Sequence, residues 1–226
     1  MNTEKQPSLD VGTLPRDREG REILKSKRIS DISLAFCILF LTLPLTFIAL
    51  LSIKVTHILR GNRGAKLFYS EVRMSQGKLF LMYKFNIFKP EKISEARMTG
   101  TFIHTKDFEK KGGVTKVGWV LKQIYMDELP QFYNVIKGDM SIVGPRPVNS
   151  EVYRNLMDAG VYAKNEVVAG ITGNFQSFKD TRGKGAAEMD QEYVDFYKSH
   201  SGYAVWKNDV QIMLRTIKVI LRAKGI

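Results

Sequence analysis

The stretch DELPQFYNVIKGDMSIVGPRP, residues 127–147, decides how the rest of the chain is organised. Its apolar residues recur at helical spacing, Pro130 suits a first helical turn, and Gly138 is a typical stop signal, so we predict a short helix. Asp127 and Glu128 would then lie at the N-terminus of this helix, where the dipole keeps carboxylates ionised. The same position favours a bound phosphate.

A glycine-bearing loop follows the predicted helix and ends in Arg146, which stands between Pro145 and Pro147. Arginine binds phosphate through two parallel hydrogen bonds, and prolines limit the freedom of the backbone around it. A second glycine-containing stretch, residues 169–176, could add main-chain N–H donors. An Asp-Glu pair and a surface arginine are also common without any function, so spacing alone leaves a structural interpretation open.

Composition limits the function classes. The 226 residues suffice for one domain with a core, and 35 basic against 23 acidic residues give a net charge of +12, which favours anionic partners. Nucleic acid, acidic lipid and phosphorylated small molecules all fit that charge. Cys37 is the sole cysteine and the three histidines are scattered, which argues against disulfides and zinc sites. Neither a P-loop nor an H-E-x-x-H pattern occurs.

An apolar segment predicts membrane attachment. Residues 32–53 are long enough to cross a bilayer core of about 30 Å at about 1.5 Å per residue. Pro44 interrupts the middle of the segment, and basic residues flank both of its ends. The positive-inside rule would place both flanks in the cytoplasm, which favours a re-entrant helix broken at Pro44, although a spanning helix stays open. The flanking residues are Lys25, Lys27, Arg28, Lys54, Arg60, Arg63 and Lys66.

The remaining pattern predicts an α+β, mostly helical fold with a small β-hairpin. The C-terminal helix carries an apolar stripe, from Trp206 to Leu221, that suits either a membrane interface or a packed core. We predict a flexible polar arm at residues 1–24, a membrane-embedded helix at 25–60 and a cytoplasmic domain at 61–226. The predicted strands are residues 66–73 and 78–85, and the predicted helices are residues 150–165, 189–199 and 206–221; residues 117–125 form a short amphipathic segment before the carboxylate pair.

These residues resemble the signature of the bacterial sugar transferases, the monotopic polyprenyl-phosphate phosphoglycosyl transferases. Residues 27–51 resemble the proline-broken membrane helix of that family, and residues 170–173 together with Gln176 are similar to a later family motif. The resemblance covers roughly residues 25–221. It is closest to the compact form of the family, which lacks an N-terminal multi-span domain.

The resemblance implies transfer of a sugar-1-phosphate from a UDP-sugar to undecaprenyl phosphate, which releases UMP and starts the assembly of a glycan. Asp127 would be the nucleophile that forms an aspartyl-phosphosugar intermediate, and Glu128 would accept a proton or help Asp127 to hold Mg²⁺. The enzyme would act at the cytoplasmic face of the bacterial inner membrane, and a homodimer stays open. The implied phosphate and substrate contacts are Lys84, Lys122, Arg146, Gln176 and Arg182.

The chain departs from the common family pattern at three positions. Asn86 and Lys122 stand where arginine is usual, and Ala169 stands where proline is usual. Lysine keeps the charge but loses the planar fork of arginine, and asparagine loses the charge. The alternative function is an inactive membrane-anchored scaffold that binds anionic lipid and recruits assembly enzymes. Nucleic-acid binding rests on charge alone, and the apolar anchor argues against it.

Overall fold

The computed structural model describes residues 25–93, 112–178 and 183–221, so the predicted polar arm at residues 1–24 and Arg182 lie outside it. The predicted α+β, mostly helical fold is confirmed, with two small sheets. The strands are β1 Phe68–Ser75, β2 Lys78–Phe85, β3 Ser141–Val143 and β4 Gly170–Thr172. The helices are α1 Lys25–Leu41, α2 Leu43–Leu59, α3 Lys116–Gln123, α4 Gln131–Lys137, α5 Ser150–Asp158, α6 Ala163–Glu166, α7 Asn174–Phe178, α8 Ala186–Ser199 and α9 Gly202–Leu221.

The apolar N-terminal segment forms two helices that meet at Thr42. Pro44 lies in the first turn of α2, where a missing N–H costs no helical hydrogen bond. The Thr42 hydroxyl donates to the Ile38 carbonyl at 2.7 Å and so closes the end of α1. Among the described helices, none alone is long and apolar enough to cross a bilayer, whereas α1 and α2 together meet that criterion and are bent by 62°.

The predicted hairpin is confirmed, and β1 begins two residues later than expected, at Phe68. Its two-residue turn consists of Gln76 and Gly77, which both have positive φ, 47° and 72°. Such turns match the right-handed twist of paired strands and usually have asparagine where Gln76 stands.

Strands β3 and β4 form a parallel pair that the sequence analysis treated as two loops. Glycines make this pairing possible, because a Cβ on Gly170 would overlap the main-chain nitrogen of Gly144. The Gly144 N–H donates to the Thr172 carbonyl, and the Gly170 N–H donates to the Pro145 carbonyl, each at 2.9 Å. The prediction that the second glycine stretch offers phosphate donors is therefore wrong for Gly170.

The predicted helices are present, but their ends differ from the prediction and one of them is divided in two. The predicted helix over residues 150–165 is two helices, α5 and α6, because the chain turns at Gly160 with φ of 75°. On α9 the buried residues are Val205, Asp209 and Ile212. The predicted apolar stripe is therefore not the core face of α9, and its largest members stay 44–79% exposed, namely Trp206, Leu214, Ile217 and Leu221.

A buried polar network joins the first described helix to the last. Lys27 of α1 contacts Asp209 of α9 at 2.5 Å, and the Tyr193 hydroxyl donates to Asp209 at 3.0 Å. One helical turn after Lys27, Asp31 accepts a hydrogen bond from the Ser141 hydroxyl of β3 at 2.7 Å. Because these groups are buried, each depends on its partners rather than on water.

Arg28 provides a second attachment of α1 to the domain, through hydrogen bonds to α4. Its guanidinium donates to the carbonyls of Val135 and Ile136, at 2.5 and 2.9 Å, and so satisfies the C-terminal end of α4. Ala35 of α1 is fully buried in the main core. Two of the basic residues that the sequence analysis assigned to the membrane flank, Lys27 and Arg28, are thus used inside the fold.

We expect Lys27→Met to lower the free energy of unfolding by about 3–5 kcal/mol, because Asp209 would become a buried charge without its cation. The double variant Lys27→Met/Asp209→Leu removes both charges and should recover most of that loss. Chemical denaturation of the detergent-solubilised protein measures both effects. Lys25→Met, at an exposed position of the same helix, is the control, and a single variant as stable as the parent would contradict the expectation.

Candidate active site

The carboxylate pair lies in a 3₁₀ turn, Met126–Glu128, just before α4. Helix α4 begins at Gln131 with Pro130 as its N-cap, so the carboxylate pair lies in the 3₁₀ turn before this helix rather than directly at its N-terminus as predicted. Tyr125 precedes the turn in the left-handed region, with φ of 57°. This conformation costs a residue other than glycine roughly 1–2 kcal/mol, and such strain is concentrated at functional sites.

Glu128 is held by two cations. Its Oε1 lies 3.3 Å from Lys84 Nζ of β2 and 3.1 Å from Arg146 Nη2. Burial alone would raise the pKa of Glu128, but Arg146 and Lys84 outweigh burial and hold that pKa below its ordinary 4.5. Glu128 in turn raises the pKa of Arg146. The structure therefore brings together Lys84, Glu128 and Arg146, three residues that the sequence analysis named.

The pKa of Asp127 is shifted in the opposite direction to that of Glu128. Burial first, and then the charge of Glu128, raise its pKa from 3.8 to about 7, although Lys84 and Lys122 lower it. Its position at a helix end therefore does not keep the pKa of Asp127 low, and this carboxyl is only partly ionised near neutral pH. Because the pKa is raised on folding, ionisation of Asp127 destabilises the fold as pH rises from about 4 to about 7.

The loop that carries Arg146 is held by residues that the sequence analysis missed. Lys164 of α6 donates to the Arg146 carbonyl at 2.9 Å and pairs with Asp190 of α8 at 2.6 Å. Pro145 and Pro147 are buried, while the Arg146 side chain keeps 40% exposure. The backbone of the loop is thus fixed while part of the Arg146 side chain stays exposed.

Asn134 couples the motif helix to the strand that carries Lys84. This fully buried side chain accepts from the Tyr83 N–H at 3.0 Å and donates to the Leu81 carbonyl at 2.7 Å. It thereby gives β2 hydrogen bonds that a further strand would otherwise supply. The sequence did carry a signal, because asparagine is unfavourable inside a helix unless its amide is used.

The three departures from the family pattern have local structural roles. The Asn86 amide donates to the Lys66 carbonyl at 2.8 Å, so this buried residue closes the strand end rather than binding a phosphate. The Ala169 N–H donates to the Ser75 hydroxyl at 3.0 Å, a bond that proline could not make. Lys122 of α3 retains its influence on the site, since its charge lowers the pKa of Asp127.

Gln176 is the predicted contact with the least support. It belongs to α7, which packs against α8 and α9. Its amide atoms are buried without a hydrogen-bond partner among the described residues. Such an amide costs stability until a partner satisfies it.

The carboxylate pair fits a magnesium ion that a substrate would help to bind. The described residues contain no group of three or more His, Cys, Asp or Glu that could hold a metal by themselves. Mg²⁺ usually takes one or two carboxylates together with the phosphates of a substrate, so Asp127 and Glu128 would suffice. Burial and Glu128 raise the pKa of Asp127 by more than Lys84 and Lys122 lower it, so a bound cation would further stabilise the ionised carboxylate.

Comparison with known proteins identifies relatives along almost the whole chain. Residues 22–223 match the family described as bacterial sugar transferase. An undecaprenyl-phosphate galactose phosphotransferase of Salmonella typhimurium is 33% identical over 211 residues, which cover 88% of this chain and 41% of that protein. A UDP-glucose:undecaprenyl-phosphate glucose-1-phosphate transferase of Escherichia coli is 33% identical over 201 residues, which cover 84% of this chain and 39% of that protein.

A shorter relative matches over most of its length. The uncharacterized sugar transferase EpsL of Bacillus subtilis is 30% identical over 207 residues, which cover 88% of this chain and 89% of that protein. The chain therefore spans about two fifths of the two enzymes with stated activities and most of the shorter relative. These matches confirm the resemblance drawn from the sequence.

We expect Glu128→Gln to lower the pKa of Asp127 below about 7. The change removes the negative charge that raises this pKa and releases Lys84 and Arg146 from their anion, and both effects favour ionised Asp127. Carbon-13 NMR titration of the aspartate carboxyls, without metal, measures the shift. Glu151→Gln, exposed on α5, is the control, and an unchanged or higher pKa in Glu128→Gln would disprove the coupling.

Proposed function

The chain belongs to the bacterial sugar transferase family, and we propose on that premise that it transfers a sugar-1-phosphate from a UDP-sugar to undecaprenyl phosphate. The names of the Salmonella and Escherichia coli relatives support this reaction class. The observation that carries the proposal is that two adjacent carboxylates have pKa values shifted in opposite directions. Glu128 is neutralised by Lys84 and Arg146, while Asp127 has a pKa of about 7. Environments that push paired pKa values apart are typical of distinct catalytic roles.

The proposed chemistry takes place in two displacements at one phosphorus. A carboxylate oxygen of Asp127 attacks the β-phosphorus of the donor, the bond from that phosphorus to the bridging oxygen breaks, and UMP leaves with the electron pair. A phosphate oxygen of the acceptor then attacks the phosphorus of the aspartyl-phosphosugar intermediate and restores the carboxylate. Covalent catalysis replaces one difficult step by two easier ones. A pKa near 7 also makes Asp127 more basic than an ordinary carboxylate while leaving much of it ionised at neutral pH.

Lys84 and Arg146, which already contact Glu128, would also bind the phosphates of the donor. The Arg146 side chain, which is 40% exposed, has further N–H donors beside the one that reaches Glu128. The Lys164–Asp190 pair keeps the Arg146 backbone in place while the side chain binds. Preorganised cations of this kind stabilise charge that develops at phosphorus.

We propose Mg²⁺ as the cofactor, held by Asp127 and Glu128 together with the diphosphate of the donor. It would neutralise the charge of the diphosphate and polarise the phosphorus. The cationic partners of Glu128 limit how strongly the protein alone binds such an ion.

Membrane association of the chain is supported by exposed apolar surface. Helices α1 and α2 expose many large apolar side chains, and contiguous apolar surface of this kind often marks a membrane interaction site. The bend between these helices suits a re-entrant segment, and the exposed stripe of α9 suits the membrane interface at the cytoplasmic face of the inner membrane. The exposed side chains of the helix pair include Phe36, Phe40, Leu41, Leu43, Leu45, Phe47, Ile48 and Leu51.

Purified protein should release UMP from one member of a UDP-sugar panel when Mg²⁺ and undecaprenyl phosphate are present. Asp127→Asn should lower that rate at least about 10³-fold, because the amide cannot act as the nucleophile. Asp158→Asn, exposed at the end of α5, controls for the loss of one carboxylate. Equal UMP release by Asp127→Asn and the parent would refute the nucleophile. No release by the folded parent would favour the scaffold function.

The re-entrant topology predicts that both ends of the helix pair face the same compartment. On a Cys37→Ser background, single cysteines replacing Lys25 and Arg63, which are both exposed, should react with an impermeant maleimide from the same side of sealed vesicles. Detergent permeabilisation gives the total labelling for each variant. A spanning helix would give labelling from opposite sides.

A further inference from the structure

Strand β1 has an open edge over part of its length. The Asn86 N–H donates to the Leu67 carbonyl at 2.8 Å, so these two residues form a hydrogen-bonded pair that extends the hairpin ladder. Hydrogen-bonded and non-bonded pairs alternate along an antiparallel ladder. The main-chain groups of Phe68, Ser70 and Val72 therefore point away from β2, towards the free side of β1.

Other positions on the two outer edges of the hairpin are occupied. On β2, the Tyr83 N–H donates to the Asn134 side chain, and the Leu81 carbonyl accepts from the same amide. On β1, the Met74 N–H donates to the Val148 carbonyl at 2.8 Å. These contacts confirm the direction of the outward main-chain groups that the alternation of the ladder implies.

Phe68, Ser70 and Val72 form the open part of the β1 edge. Their outward N–H and C=O groups have no hydrogen-bond partner among the residues that the structure describes. The side chains of Phe68 and Val72 are 50% and 51% exposed, and Ser70 is exposed as well. Native proteins usually protect such an edge with a charge, a proline or a bulge. This stretch has none of the three, so its edge can accept another strand.

We propose that a second copy of this chain pairs with this edge, β1 against β1 in antiparallel orientation, with a two-fold axis at Ser70. In that register Ser70 lies opposite Ser70 of the second copy, and Phe68 lies opposite its Val72 on both sides of the axis. Every outward N–H of the three residues would donate across the axis, and every outward carbonyl would accept. Aromatic side chains opposite β-branched ones, and hydroxyls opposite hydroxyls, are favourable cross-strand pairs. The edge is therefore complementary to itself, as a two-fold interface requires.

Charge does not oppose this pairing. Glu71 is the charged residue nearest to the axis, and it pairs with Arg73 of its own chain. On the exposed face of the hairpin, Val72 lies opposite Leu81 of β2, which is 45% exposed. The pairing thus brings apolar side chains together across the axis and breaks no ion pair.

The direction of the axis suits a chain that is attached to a membrane. A two-fold axis between antiparallel strands is perpendicular to the sheet, so each face of the hairpin continues into the same face of the second copy. Phe85 lies on the exposed face opposite Phe68 and packs with Ala49 and Ile53 of α2. Both copies would therefore carry α2 on one face of the joined sheet. This arrangement allows both helix pairs to enter one membrane from the same side.

Cross-linking in membranes tests the register. The two Cα atoms of a hydrogen-bonded antiparallel pair are about 5.5 Å apart, a distance that a disulfide can span. On a Cys37→Ser background, Ser70→Cys should therefore form a covalent dimer on oxidation or with a short bis-maleimide. Lys78→Cys, exposed on β2 and distant from the axis, should stay monomeric. Absence of the Ser70→Cys dimer, or equal cross-linking of Lys78→Cys, would overturn the proposal.

Dissociation on dilution measures what the edge contributes. A contact of three residues on each strand is short, so we expect a reversible dimer. Ser70→Pro removes an N–H that points away from β2 and leaves the β1–β2 ladder intact. It should raise the dissociation constant at least about tenfold, because each copy loses a hydrogen bond across the axis. Ser70→Ala keeps the N–H and is the matched control, with a dissociation constant close to that of the parent.

Light scattering of the full chain in detergent, over a dilution series, gives the dissociation constants. A parent that is monomeric throughout the series would overturn the proposal. A dimer that Ser70→Pro leaves unchanged would place the contact elsewhere and overturn it as well. If Ser70→Pro unfolds at a lower temperature than Ser70→Ala, the cross-linking of Ser70→Cys decides. None of these measurements involves the transferase reaction, so the dimer and the proposed function can fail separately.

Discussion

The buried ion pair between Lys27 and Asp209 is the constraint on which the rest of the structure depends. It joins the first described helix to the last, and through Asp31 and Ser141 the same network reaches β3, the strand that leads into the Arg146 loop. Two buried charges are expensive to remove from water, so their partners must stay in place. The apolar helix pair is therefore attached to the domain at a defined angle, which also defines the height of the carboxylate turn above any membrane that the pair enters.

The chemistry of the site follows from an unequal division of positive charge. Lys84 and Arg146 both contact Glu128. Asp127 is buried beside the negative charge of Glu128, and the pKa of Asp127 is about 7. The protein thus keeps one carboxylate as a fixed counter-ion and leaves the other short of cations. A donor that brings its own metal would supply that missing charge at the moment when Asp127 is needed in its ionised form. Substrate binding and activation of the nucleophile would then be one event.

Local signals predicted the parts of the fold that local physics controls. Gly138 ends α4 with φ of 100°, and the pattern around Gly77 predicted the hairpin. The parallel pair β3–β4 was missed because strands of three residues carry no periodic pattern. The positions of Lys164 and Asp190 could not be predicted either, since their roles arise only when distant helices meet. The raised pKa of Asp127 could not be predicted, because its main cause is burial and a sequence shows only the neighbouring charges.

Helix α1 has both an exposed apolar face and a face buried in the domain, and this limits how the protein could be made soluble without detergent. Its outer face exposes Phe36 and Phe40, whereas its inner face supplies Ala35 to the main core and Lys27 to the buried ion pair with Asp209. Deleting the hydrophobic segment would therefore remove a wall of the domain along with the proposed membrane anchor. A water-soluble derivative would instead require polar replacements confined to the outward side chains, with the backbone of the helix pair retained.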